Sequence, residues 1–200
     1  AILLVGFRNP ALQQYVGMTL AEVAAARGTP PEDTAMDLVI EDRSRVSAVF
    51  FTQSEDVVRE VLKLPWVSFC TDARTVAAEG AFLDNALHPR GYGTFPRVLG
   101  RYVREEGLIT LQEAVRKASA LPAENLSLVD RGRLEVGYYA DVVVFDPATI
   151  IDNATFENPH RYSSGVEQVL VNGTRVIVDG EHSGATPGRV VRGPGWVGWE

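Results

Sequence analysis

The 200-residue sequence has one cysteine, Cys70, and three histidines, His88, His160 and His182. A single thiol excludes an internal disulfide framework and any cysteine-only metal site, and it is compatible with a reducing, cytoplasmic setting. The histidines show neither His-x-His nor His-x-x-x-His spacing, so no complete metal site is written in the sequence. Long apolar runs are absent: Val142-Val143-Val144-Phe145 is typical, far short of the roughly 20 residues that cross a bilayer. Excess positive charge is absent too. Lys and Arg total 19 against 26 Asp and Glu, the net charge is −7, and the basic residues are scattered, which argues against a nucleic-acid partner. There is no Gly-x-Gly-x-x-Gly after a strand to cradle a nucleotide and no Gly-x-Ser-x-Gly elbow for a serine hydrolase. The chain opens without Met, on Ala1-Ile2-Leu3-Leu4-Val5, and lacks the charged start and cleavage site of a signal peptide. The expectation is a protein entered midway.

What is present is the composition of a folded protein, 46% hydrophobic and 22% charged. Residues 2–7 predict a buried strand. Two short helices follow, over Thr19–Ala24 and Pro31–Ile40, separated by Gly28-Thr29-Pro30. Arg45–Phe51 reads as a strand, and Ser54 as the N-cap of a helix whose apolar face is Val57, Val58, Val61 and Leu62. Val67–Asp72 predicts a further strand, and Thr94 the start of a helix carrying Val98, Leu99, Tyr102 and Val103. Thr110 and Glu113 have capping-box spacing, and the helix they open is expected to stop at Pro122. Strands alternating with helices predict parallel strands. From Gly132 onward only short β runs remain: Asp141–Phe145, Gln168–Val171 and Arg175–Val178. Asn172-Gly173 marks a hairpin between the last two. The Gly- and Pro-rich end, from Gly184 to Glu200 with Trp196 and Trp199, predicts an extended tail.

Two residues stand out for chemistry. Strand alternation over Val67–Asp72 places Ser68, Cys70 and Asp72 on one face, with the Asp72 carboxylate at the strand end. Such a position lines the active site in barrels of alternating strands and helices, and equally suits a turn-capping Asp. In His88-Pro89-Arg90-Gly91-Tyr92-Gly93-Thr94-Phe95-Pro96-Arg97, prolines and glycines constrain a loop on which Arg90 is placed to grip a carboxylate or to form a structural ion pair. Cys70 reads as a packing residue, and His160 and His182 as packing or loop residues.

Three stretches together resemble the N-acyl-D-amino-acid deacylases (D-aminoacylases) of the amidohydrolase superfamily: Ser68-Phe69-Cys70-Thr71-Asp72, His88 through Gly100, and Asp130-Arg131-Gly132 through Ala140-Asp141 to Asp146. The resemblance runs from about residue 15 to 193 and lies with the C-terminal part of that family. It implies an α/β fold: the C-terminal portion of a (β/α)₈ barrel with an inserted helical segment over residues 1–125, then part of a small β-sandwich and a tail over 126–200. Asp72 resembles the catalytic aspartate that also touches the metal, taking a proton from the attacking water and passing it to the leaving amine. Arg90 resembles the arginine that binds the substrate α-carboxylate, and the resemblance implies that Tyr92 lines the same pocket. Zinc is the implied cofactor, an N-acyl-D-amino acid the substrate, and the N-terminal part of the same enzyme the partner, since the other metal ligands would precede Ala1. Thr52-Gln53 departs from the family, which often has methionine there. A cyclic-amide hydrolase of the dihydroorotase or hydantoinase kind and a non-catalytic module lacking the metal ligands are the competing readings.

Overall fold

The computed structural model describes residues 1–74 and 76–198, so Trp199, named above in the tail, lies outside the described residues. The chain divides into two compact units. The first holds Ala1–Glu55, Asp72–Tyr92 and Asn153–Tyr162; the second holds Asp56–Thr71, Gly93–Asp152 and Ser163–Glu200.

In the first unit, β1 (Ile2–Gly6) is followed by a 3₁₀ turn (Pro10–Tyr15), α1 (Leu20–Arg27), α2 (Pro31–Asp42) and β2 (Ser47–Phe50). Helix α1 begins one residue inside the expected Thr19 start, because Thr19 is its cap. Thr19 Oγ1 accepts the N–H of Glu22 at 3.2 Å while the Glu22 carboxylate accepts the N–H of Thr19 at 2.7 Å, a reciprocal capping box. Strands β1 and β2 pair antiparallel, Leu3 opposite Val49, and no parallel pair occurs among the described residues. The reason is the connection. One crossover helix returns a chain to the end where its strand began, whereas two helices in succession leave it at the opposite end, so the second strand runs back. Leu4, Phe7, Leu12, Val23 and Leu38 form the core, each buried side chain contributing on the order of 2 kcal/mol. Asp42 is buried at the end of α2, where its Oδ1 accepts the backbone N–H groups of Arg8 and Asn9 at 2.7 Å each. Burial alone would raise its pKa, but the Ser44 hydroxyl, these two N–H groups and the Arg8 charge together hold it below the usual value.

In the second unit, α3 (Glu55–Lys63), whose first residue still belongs to the first unit, buries only Leu62 fully; Val57 and Val61 are exposed, so the expected apolar face is only partly used. Val67–Asp72 is not a strand. Extended backbone becomes a strand only where a neighbour accepts its ladder bonds, and none of the described strands pairs with it. Cys70, read from the sequence as packing, is exposed for the same reason: no sheet forms there to cover it.

The helix expected from Thr94 begins earlier. α4 spans Arg90–Arg97, its first three residues belonging to the first unit, and runs directly into a π-helical stretch, Val98–Glu105. Pro96 has no N–H to give to the preceding turn, and the widened helix follows it. α5 (Leu111–Ala118) begins at Thr110, whose hydroxyl accepts the Glu113 N–H. It ends at Ser119, and Pro122 falls inside the first turn of a separate helix, α6 (Ala120–Asn125), where a missing N–H costs nothing. Leu62, Val98, Tyr102 and Ala114 form this unit's core. Lys117, fully buried, donates to the carbonyls of Leu62, at 2.8 Å, and Leu64.

The rest is an antiparallel sheet in the order β3 (Val142–Phe145), β4 (Val166–Val171), β5 (Thr174–Val178), β6 (Glu181–His182). Asn172 and Gly173, at φ 48° and 79°, form the expected hairpin turn. Residues 184–198 form no strand or helix and turn at Pro194-Gly195; Asn172 Nδ2 donates to the Pro187 carbonyl.

Candidate active site

The site lies within the first unit. Asp72 has φ 44°, a left-handed conformation that Asp and Asn tolerate better than most residues, and its side chain is 80% exposed. The carboxylate therefore stands on a segment without regular structure, beside the bend at Ala73, rather than at the end of a buried strand. Arg90 is the first residue of α4. Its backbone N–H donates to His88 Nδ1 at 3.1 Å, so the histidine caps the helix. Burial and the Arg90 charge push the His88 pKa down, leaving a neutral ring whose edge meets Phe156 at 5.0 Å. Arg90 Nη2 reaches Asp72 Oδ2 at 2.9 Å. Sequence reasoning named both residues, and the structure brings them together.

Asp72, His88 and Arg90 line a cavity of about 950 Å³, with Val5, Gly6 and Phe50 across from them in sequence. Two features missed in the sequence build its wall. Asn85 Oδ1 accepts the Phe7 N–H at 3.2 Å, and Gly6 carries no Cβ because one would stand 2.7 Å from that oxygen. His160 Nε2–H donates to the Asn85 carbonyl at 2.9 Å. In the same unit the Tyr162 hydroxyl accepts the Ala78 N–H at 2.9 Å. Such contacts join residues more than 70 positions apart, and no local spacing announces them. His182, read from the sequence as a packing or loop residue, instead ends strand β6, and its Nδ1 accepts the Gly184 N–H at 3.0 Å.

Tyr92 does not line the cavity. Its ring packs edge-on against Tyr162, centroids 5.4 Å apart, and near His160. Burial, with the nearby Tyr162, raises its pKa.

The arrangement offers a solvent-reached carboxylate for proton transfer beside a guanidinium able to hold a second carboxylate. It does not offer a metal centre by itself. Among the described residues no cluster of three or more His, Cys, Asp and Glu could hold a metal ion, and Asp72 supplies one donor already paired with Arg90.

The sequence model of the amidohydrolase family matches residues 16–177. The chain is 43% identical over 176 residues to an N-acyl-D-glutamate deacylase of Alcaligenes xylosoxydans xylosoxydans, covering 88% of this chain and 33% of that protein. A D-aminoacylase of the same organism is 39% identical over 175 residues, 88% of this chain and 34% of that one. The crystal structure of an N-acyl-D-glutamate deacylase from Bordetella bronchiseptica, complexed with zinc and a phosphonate inhibitor that mimics the tetrahedral intermediate, superposes with a TM-score of 0.76 at 37% identity. The match covers 88% of this chain and 34% of that one. The chain thus spans about a third of the length of the relatives it matches.

Proposed function

The chain belongs to the amidohydrolase family, and from that premise we propose that it is the C-terminal portion of a zinc-dependent deacylase that hydrolyses the amide of N-acyl-D-amino acids. The observation that carries the reading is the 2.9 Å pairing of Asp72 with Arg90 on one cavity wall, within a chain similar to deacylases over most of its length. Residues 1–125 then contribute the last part of a (β/α)₈ barrel with an inserted helical segment, and residues 126–200 part of a β-sandwich and the tail. The remainder of the same enzyme is the partner that completes the site.

Asp72, together with residues outside this chain, would hold zinc, which when bound would supply Lewis-acid chemistry to the amide and the attacking water. Within this chain, Asp72 takes a proton at Oδ and returns it to the leaving amine. Arg90 grips the substrate α-carboxylate and fixes its orientation. An exposed ion pair is worth little, so the substrate carboxylate competes readily for the guanidinium, which has donors for both partners. Tyr92, in this reading, backs the first turn of α4 that carries Arg90. No helix among the described residues is long and apolar enough to cross a membrane, and the lone unbridged Cys70 supports a reducing, cytoplasmic setting.

The test is hydrolysis of N-acetyl-D-amino acids by the complete, zinc-loaded enzyme, with L-isomers as controls. Release of free D-amino acid is expected. Failure to cleave any D-substrate overturns the reading.

A further inference from the structure

His88 lines the same cavity as Asp72 and Arg90, and contacts within the first unit fix its ring. Its Nδ1 accepts the Arg90 N–H at 3.1 Å, and its carbonyl accepts the Gly91 N–H at 3.1 Å. The ring packs edge-to-face with Phe156, which packs in the same way against Phe51, centroids 4.7 Å apart. The bond to Nδ1 also settles the tautomer. A nitrogen that accepts an N–H carries no proton, so in the neutral ring the proton is on Nε2. The ring is neutral because it is half-buried and stands near the Arg90 guanidinium, with Arg8, Arg45 and Arg74 on the same lining. Nε2–H is therefore a donor, and among the described residues no group of the chain accepts from it.

We propose that His88 is a second binding residue for the substrate α-carboxylate, its Nε2–H donating to that group beside Arg90. The proposal rests on the deacylase reading, in which Arg90 takes the α-carboxylate. Arg90 Nη2 already serves Asp72 at 2.9 Å, so the guanidinium divides its donors between two carboxylates and cannot give the substrate its whole fork. A carboxylate that leaves water needs donors at both oxygens, and one left without them carries its full desolvation cost. The imidazole supplies a donor without adding charge. Its ring is held in place before the substrate arrives, so little side-chain freedom is lost on binding. The same bond that caps α4 at Arg90 puts the His88 proton on Nε2, which ties the second donor to the helix that carries the first. A carboxylate held by two residues has a fixed orientation, which an arginine shared with Asp72 does not impose alone.

The experiment uses the complete enzyme and two substitutions that divide the functions of the ring. In His88→Asn an amide oxygen takes the place of Nδ1 and nothing reaches the position of Nε2; in His88→Gln an amide N–H reaches that position and the Nδ1 acceptor is lost. For the N-acetyl-D-amino acid that the wild type cleaves best, His88→Asn is expected to raise KM about tenfold or more with kcat nearly unchanged, the worth of a hydrogen bond to a charged group, while His88→Gln stays within about threefold of the wild-type KM. A ring that only caps α4 gives the reverse order. An unchanged KM in His88→Asn therefore overturns the proposal, as does an equal rise in both variants. Where His88→Asn does not fold, His88→Gln decides: a KM within about threefold of the wild type sustains the donor role, and a rise of about tenfold overturns it. Each of these outcomes leaves the deacylase reading standing, whereas no cleavage of any N-acetyl-D-amino acid by the wild type overturns that reading and the His88 role with it.

Discussion

Arg90 Nη2 lies 2.9 Å from Asp72 Oδ2, joining the start of α4 to a carboxylate whose backbone sits at φ 44°. The first residue of a helix and a turn residue 18 positions earlier are thus held at one point of one cavity. The carboxylate is 80% exposed, so its replacement disturbs little packing, and asparagine tolerates the same left-handed backbone. Asp72→Asn in the complete enzyme is therefore expected to keep its circular dichroism spectrum and melting temperature while kcat falls about 10²–10⁴-fold, the usual worth of a positioned acid–base group. Near-normal turnover by this variant removes Asp72 from the proton-transfer role.

Arg90→Met tests the other half of the pair. A charged hydrogen bond is worth about 1.5–3 kcal/mol, so kcat/KM for a linear N-acyl-D-amino acid is expected to fall roughly 10- to 150-fold by the same arithmetic, chiefly through KM. A cyclic amide without a free α-carboxylate loses little. Equal losses on the linear and the cyclic substrate would remove Arg90 from the α-carboxylate role.

Glu106 gives a pH signature of folding remote from catalysis. Hydrogen bonds from Arg59, at 2.8 Å, and Arg101, at 3.0 Å, hold its pKa down at about 2, against an ordinary 4.5. A carboxylate depressed in the folded state adds stability above its unfolded pKa and loses it as pH falls toward the folded one. Glu106→Gln is therefore expected to melt lower than the wild type above pH 4.5, with the gap closing as pH falls toward 2. The pair is solvent-exposed, so added salt narrows the gap as well. A gap independent of pH and salt would mean that Glu106 stabilises by packing rather than by charge.

How much of this was legible depends on range. Thr110 with Glu113, and Asn172 with Gly173, act through neighbours three residues away or fewer, and both the cap and the turn were readable. Asp179 and Gly180, at φ 51° and 84°, make the turn into β6 by the same chemistry, and that Asp-Gly signal was passed over. Thr94 looked like a cap because threonine usually caps; the group that does so is the imidazole of His88, an uncommon choice. Asp72 and Arg90 were recognisable from their motifs, but their joint cavity with Arg45 and Arg74 was not, because only the folded backbone brings residues of β2's approach and of the 72–92 segment onto one wall. The strand expected at Val67–Asp72 failed for a related reason. Sequence reports the tendency to extend, while pairing needs a second strand.

Gly165 offers a test of packing against backbone strain. It has φ 85°, and its carbonyl accepts the Asp146 N–H at 2.9 Å. An added Cβ would overlap the Ile150 backbone, which a buried chain segment cannot yield cheaply. Gly173 has nearly the same φ, 79°, but nothing stands within 4 Å of its missing Cβ. Alanine at 173 therefore costs only the left-handed backbone penalty, about 1–2 kcal/mol, whereas alanine at 165 adds an overpacking cost of about 1–3 kcal/mol. Urea denaturation is expected to give a lower midpoint for Gly165→Ala than for Gly173→Ala, with similar slopes. Equal midpoints would mean that the close approach of Gly165 to Ile150 carries no energetic weight and that φ alone selects glycine at both positions.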